Sequence, residues 1–128
     1  MLDHVGISVH DVARSRAFYL AALAPLGYGI LMEVSPPGGH TYIGFGDKSS
    51  GKPDFWIGDA PTSTGHLHVA FAARDRASVE AFYAAALAAG GRDNGAPALR
   101  PHYHPDYFGA FVFDLDGLNV EAVCHLPE

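Results

Sequence analysis

His4 and His68 stand in matching contexts: each is followed by valine, each precedes an aspartate by seven residues, and each leads to a Phe-Tyr pair, Phe18-Tyr19 and Phe82-Tyr83. Glu121 lies in the apolar run Val120, Ala122, Val123. Two imidazoles and a carboxylate on facing strands make a donor set for a divalent metal with open positions. A lone strand histidine is more often structural, but a histidine that recurs in a duplicated context is one of a pair. A carboxylate in so apolar a strand needs a partner, because an unpaired buried charge is very costly.

The elements that must position these residues follow from an internal repeat. Aligning His4–Gly27 with His68–Gly91 without a gap makes 12 of the 24 pairs identical, and the offset of 64 is half of the 128 residues. Module one is expected over residues 1–58, a linker over 59–65 and module two over 66–128. Leu2–Val9 alternates as a strand, with His4, Gly6 and Ser8 on one face. Asp11 caps a helix ending near Gly27. Strands follow at Tyr28–Val34, His40–Gly46 and Pro53–Gly58, interrupted by Pro- and Gly-rich turns. Module two reads as a strand at His66–Ala73, a helix from Asp75 to about Ala89, a loop-like tract Arg92–Pro97, strands around Ala98–Tyr103 and Tyr107–Phe113, a tight turn, and a last strand Leu118–Cys124. The fold class is α+β, two tandem βαβββ modules.

Composition narrows the function. A net charge of −6, with only eight scattered Lys and Arg residues, excludes the basic patches of nucleic-acid binding. No apolar run is long enough for a membrane span. One cysteine, Cys124, suits a reducing compartment, and a cytoplasmic location is expected.

The text His4-Val5-Gly6-Ile7-Ser8-Val9 with Asp11 and Phe18-Tyr19, its copy from His68, and the C-terminal Asp114-Leu115-Asp116-Gly117-Leu118-Asn119-Val120-Glu121-Ala122 resemble the vicinal oxygen chelate superfamily. That group includes glyoxalase I, fosfomycin-resistance thiol transferases, extradiol dioxygenases and bleomycin-resistance proteins. The resemblance implies sheets curled around a cleft, with ligands on the first and last strands of the modules. By that pattern His4, His68 and Glu121 fall on metal positions, for Fe, Mn, Ni, Co or Zn. It also implies homodimers, in which His4 meets His68 within one chain or across two. A fourth ligand position in module one falls on Phe55 when Gly51 is aligned with Gly117, and on Trp56 when strand centres are matched. Neither binds metal, which favours three ligands, and both aromatics are candidates to wall the cleft against a substrate. The turn has Leu118 where many relatives carry a polar residue.

The run Arg100–Tyr107 is the other conspicuous stretch. His102 and His104 share a face if it is extended, about 6.6 Å apart. It is expected to overhang the cleft, with His102 and Tyr103 as proton-handling groups and His104 and Tyr107 as substrate contacts. His10 and His125 lie too far along their strands to join the metal, and Cys124 faces away from Glu121. The expected function is a metal-dependent enzyme acting on a small substrate with neighbouring oxygens, by lyase or isomerase chemistry or by ring-cleaving dioxygenation. The alternative is a metal-free protein that sequesters a ligand, as bleomycin-resistance proteins do. Thiol transfer fits the ligand count but lacks a legible phosphonate-binding cluster.

Overall fold

The computed structural model describes residues 2–61 and 67–128, so most of the 59–65 linker and the expected strand start at His66 lie outside the described residues. Module one runs β1 (Val5–Ser8), α1 (Val12–Leu23), a 3-10 turn (Ala24–Leu26), β2 (Tyr28–Val34), β3 (Tyr42–Asp47) and β4 (Phe55–Gly58). Module two runs β5 (His68–Ala72), α2 (Arg76–Ala88), β6 (Arg92–Leu99), β7 (Phe108–Phe113) and β8 (Asn119–Cys124). Asp11 accepts from the Arg14 amide at 3.0 Å and Asp75 from the Ser78 amide at 2.7 Å, so both copies of the repeated aspartate cap their helices. Gly27 ends the first helical stretch with φ of 84°, a conformation that favours glycine.

Each module makes its own four-stranded sheet, ordered β1-β4-β3-β2 and β5-β8-β7-β6. The first strand lies parallel to the last, and the remaining pairs are antiparallel. One face of each sheet is apolar. Ile7, Phe45, Phe55 and Ile57 from the first, and Phe71, Val112, Val120 and Ala122 from the second, join Phe18, Tyr19, Leu23, Val79 and Phe82 of the helices in a single core. Phe71 of β5 crosses between modules, its ring centroid 5.1 Å from Phe55 and 5.5 Å from Tyr28. The opposite faces of the two sheets stay open, so one chain does not close a barrel. None of the described helices is long and apolar enough to cross a membrane.

The tract Arg92–Pro97, expected as a loop, is most of β6, whereas Arg100–Tyr103 is a turn and not strand. β6 is an edge strand whose register shifts on both sides of Gly95, and an edge position tolerates Pro97, whose ring nitrogen has no hydrogen to donate.

The repeated tyrosines have diverged. Tyr83 donates to Asp93 at 2.9 Å near the surface, whereas the Tyr19 hydroxyl is buried and donates to Asp114 at 2.6 Å, tying α1 to the β7–β8 turn of the other module. Asp114 also accepts from the Asp116 and Leu118 amides, and Asp116 in turn accepts from the His10 amide at 3.0 Å. Burial first, and then the Asp114 charge and its hydrogen bond, push the Tyr19 phenol well above its ordinary value. A raised tyrosine pKa means that the unfolded chain loses this proton first as pH rises. Stability is therefore fully present below about pH 10 and falls above it, by about 1.4 kcal/mol per pH unit from this group. Urea denaturation between pH 9 and 11 should show that fall, with a shallower slope in Tyr19→Phe; equal slopes would contradict the coupling.

Candidate functional site

Glu121 sits mid-strand in β8, opposite Ala70 of β5 and Phe111 of β7. Register alternation puts it on the open face while Val120, Ala122 and Cys124 enter the core. His68 lies one pleat away on β5, and its Nε2 is 2.9 Å from Glu121 Oε2. Tyr107, immediately before β7, donates its hydroxyl to Glu121 Oε1. Gly109 makes room for this arrangement: a Cβ there would stand 3.0 Å from Glu121 Oε1 and 3.0 Å from Tyr107 Cε1. Glu121 is only 1% exposed, yet both carboxylate oxygens have partners, as a buried charge requires.

The His68 side chain, 46% exposed, remains reachable from the open face. With its proton on Nε2 it donates to Glu121; in the other tautomer it offers the Nε2 lone pair beside a carboxylate oxygen. Tyr107 is pushed above its ordinary value, chiefly by burial and then by Glu121, so its hydroxyl remains a donor at neutral pH.

His4, just ahead of β1, lies in the open-face register of the first sheet with Gly6, Ser8 and Trp56. It is 59% exposed, and its Nδ1 meets Asp3 Oδ1 at 2.8 Å. That bond fixes the tautomer in which Nε2 is the free acceptor. His4 does not join His68 and Glu121 within the chain: among the described residues no three His, Cys, Asp or Glu side chains are grouped as a metal would need.

Strand register settles the Phe55 and Trp56 alternatives. Gly6 pairs with Trp56 as Ala70 pairs with Glu121, so Trp56 occupies the position equivalent to Glu121, and Phe55 that of Val120. Phe55, 1% exposed and edge-on to Tyr19 at 5.0 Å, is core and walls no cleft. Trp56 is half-buried and its indole takes the space beside Gly44, where a Cβ would come within 2.8 Å of it.

The Arg100–Tyr107 segment is not extended, because the Tyr103 and His104 amides both turn back to the Arg100 carbonyl, at 2.9 and 3.3 Å. His102 and His104 consequently part. His102 packs on Tyr103, 4.2 Å between centroids, over a cleft of about 270 Å³ that Asn94, Arg100, Phe111 and Asn119 also line. His104 turns toward His125, 5.8 Å away, and its Nδ1 accepts from the Asp106 amide. Tyr103 stacks edge-on to Tyr107 at 5.2 Å, so the segment reaches Glu121 through Tyr107. Sequence reading had no signal for Asn94 and Asn119, whose side chains bond across β6 and β8 at 3.1 Å. A second cleft of about 460 Å³ runs from His68 past this pair to the Asp116–Asn119 turn.

Two modules of this topology, with His68 and Glu121 on the first and last strands of one of them, match a family model described as the glyoxalase/bleomycin resistance protein/dioxygenase superfamily over residues 1–122. The chain belongs to that superfamily. Among solved structures it resembles a glyoxalase/bleomycin resistance protein from Albidiferax ferrireducens T118, with 27% identity, 98% of each chain covered and a TM-score of 0.72. It also resembles glyoxalase I from Zea mays, with 25% identity and a TM-score of 0.73; the match covers 97% of this chain but 46% of the maize chain. A superfamily enzyme from Burkholderia phytofirmans PsJN, 20% identical with 98% of each chain covered and a TM-score of 0.70, shares the fold. A search of curated proteins finds no match.

Proposed function

We propose that this superfamily member is a divalent-metal enzyme acting on a small substrate with neighbouring oxygens, and that each site joins His68 and Glu121 of one copy to His4 of a second copy. The observation that carries the reading is the 2.9 Å approach of His68 Nε2 to Glu121 Oε2 on an open sheet face. Two ligand atoms on metal bonds of about 2.1 Å at right angles stand about 3 Å apart, so the spacing of the pair suits a metal that replaces the proton they share. An imidazole pair with one carboxylate leaves positions open and suits Fe, Mn, Co, Ni or Zn. His4 lies on the open face of the first sheet, the counterpart of the face that bears His68 and Glu121, and a homodimer apposing the two faces would bring it to them.

Bound there, the metal would act as a Lewis acid toward an enolisable carbonyl or a catechol. The chain's own groups do the rest. Tyr107 holds Glu121 in orientation by its hydroxyl. Glu121 stays a ligand, its second oxygen held by Tyr107, and His102 and Tyr103 from the Arg100–Tyr107 turn exchange protons with substrate oxygens. Trp56 of the second copy and Tyr107 border the substrate on its apolar side, with His104 behind Tyr107.

The metal-free ligand-sequestering reading has one observation in its favour: Glu121 is already satisfied by His68 and Tyr107. Elemental analysis of untagged protein separates the two. Near one equivalent of a transition metal per chain, lost in His68→Ala, is the expected result. Protein that takes up none of the five metals on incubation would overturn the enzyme reading and leave the ligand-binding one.

A further inference from the structure

The site proposed above leaves one cation beside it unused. Arg100 is held at the end of β6 by its amide, which donates to the Tyr107 carbonyl at 2.7 Å, and by its carbonyl, which accepts from Tyr103 and His104. Its guanidinium folds back over the sheet, with Cζ 5.5 Å from the Phe111 ring centroid and Nη2 donating to the Ala96 carbonyl at 2.9 Å. Gly95 permits this, since a Cβ there would fall 3.1 Å from both Arg100 Nη2 and Phe111 Cδ2.

Two features of this arginine call for a ligand. Among the described residues no carboxylate pairs with it, and its side chain lines the cleft of about 270 Å³ beneath His102 and Tyr103. In a chain of net charge −6, where carboxylates are plentiful, the cleft beside Arg100 is lined by amides, His102, Tyr103 and Phe111, with no acidic side chain. The same Phe111 ring lies 6.2 Å from the His68 ring, stacked at 25°. One phenyl ring therefore separates the guanidinium from the candidate metal ligand.

We infer that Arg100 is an anion subsite, and that the ligand reaching His68 and Glu121 carries a carboxylate or a phosphoryl or phosphonyl group at its other end. A guanidinium is suited to this because its planar fork meets two oxygens of such a group at once, and it holds its charge at any physiological pH. The identity of the ligand's first end rests on the reading of His68 and Glu121 as the reactive site; the anion subsite stands on Arg100 alone.

Calorimetric titration of metal-free protein with inorganic phosphate, methylphosphonate and acetate tests it independently of any metal. Saturable binding of one anion per chain is expected in wild type and in His68→Ala, at least tenfold weaker in Arg100→Gln, and intermediate in Arg100→Lys. The tightest of the three anions distinguishes a phosphoryl or phosphonyl group from a carboxylate. Absence of saturable binding in wild type, or wild-type affinity in a folded Arg100→Gln, would overturn the subsite. If glutamine unfolds the turn, the lysine variant decides, and wild-type affinity there overturns the fork-based assignment. Anion binding retained in protein that takes up no metal would leave the subsite standing and remove only the metal reading.

Discussion

Glu121→Gln is expected to weaken divalent-metal affinity by about 100-fold or more while changing folding stability by no more than about 1 kcal/mol. Among the described residues Glu121 is the carboxylate in contact with His68, so its charge is what a metal would lose. The amide has the same shape and keeps one acceptor for Tyr107 and one polar atom for His68 Nε2, so no buried group is orphaned. Metal titration against a competing chelator, run beside urea denaturation, reads both quantities. Unchanged metal affinity would remove Glu121 from the site. A loss of several kcal/mol would show instead that the carboxylate is held for structure.

Phe55→Ala and Trp56→Ala, neighbours in one strand, should fail in different ways. Phe55 is fully buried among Tyr19, Phe45 and Phe71 where the two modules meet, and its truncation is expected to cost about 3–5 kcal/mol. Trp56 is only partly buried on the open face, and its truncation should cost about 1–2 kcal/mol. It should instead weaken binding of an aromatic chelating ligand. Chemical denaturation of both variants checks this, and equal losses would contradict the register that sends the two rings to opposite faces.

That register marks where sequence reading succeeded and where it stopped. The aspartate caps and the two-residue alternation were legible because each depends on neighbours in the chain, and the repeat because its two copies can be compared directly; together they sufficed for the βαβββ order. Whether Phe55 or Trp56 answers to Glu121 depends on which residues of β1 and β4 lie side by side. Turn lengths differ between modules, so aligning Gly51 with Gly117 misplaced it by one residue. β6 was hidden by Gly95 and Pro97, which read as loop locally but are accommodated at an edge. Tyr107 as the second partner of Glu121, and the turn that parts His102 from His104, depend on side-chain packing that no spacing encodes. Arg100 was within the stretch singled out, but a single arginine gives no sign of whether a carboxylate will meet it.

A site built by two copies is tested most directly by mixing two variants that each lack one ligand. His4→Ala chains retain His68 and Glu121, while His68→Ala chains retain His4. Unfolded together and refolded as a mixture, they should regain about a quarter of the wild-type metal sites, because random pairing makes half the dimers mixed and each mixed dimer carries one intact site. Each variant refolded alone should bind none. Failure of the mixture to bind metal, with mixed dimers verified by mass, would contradict a shared site; so would full binding by His4→Ala alone.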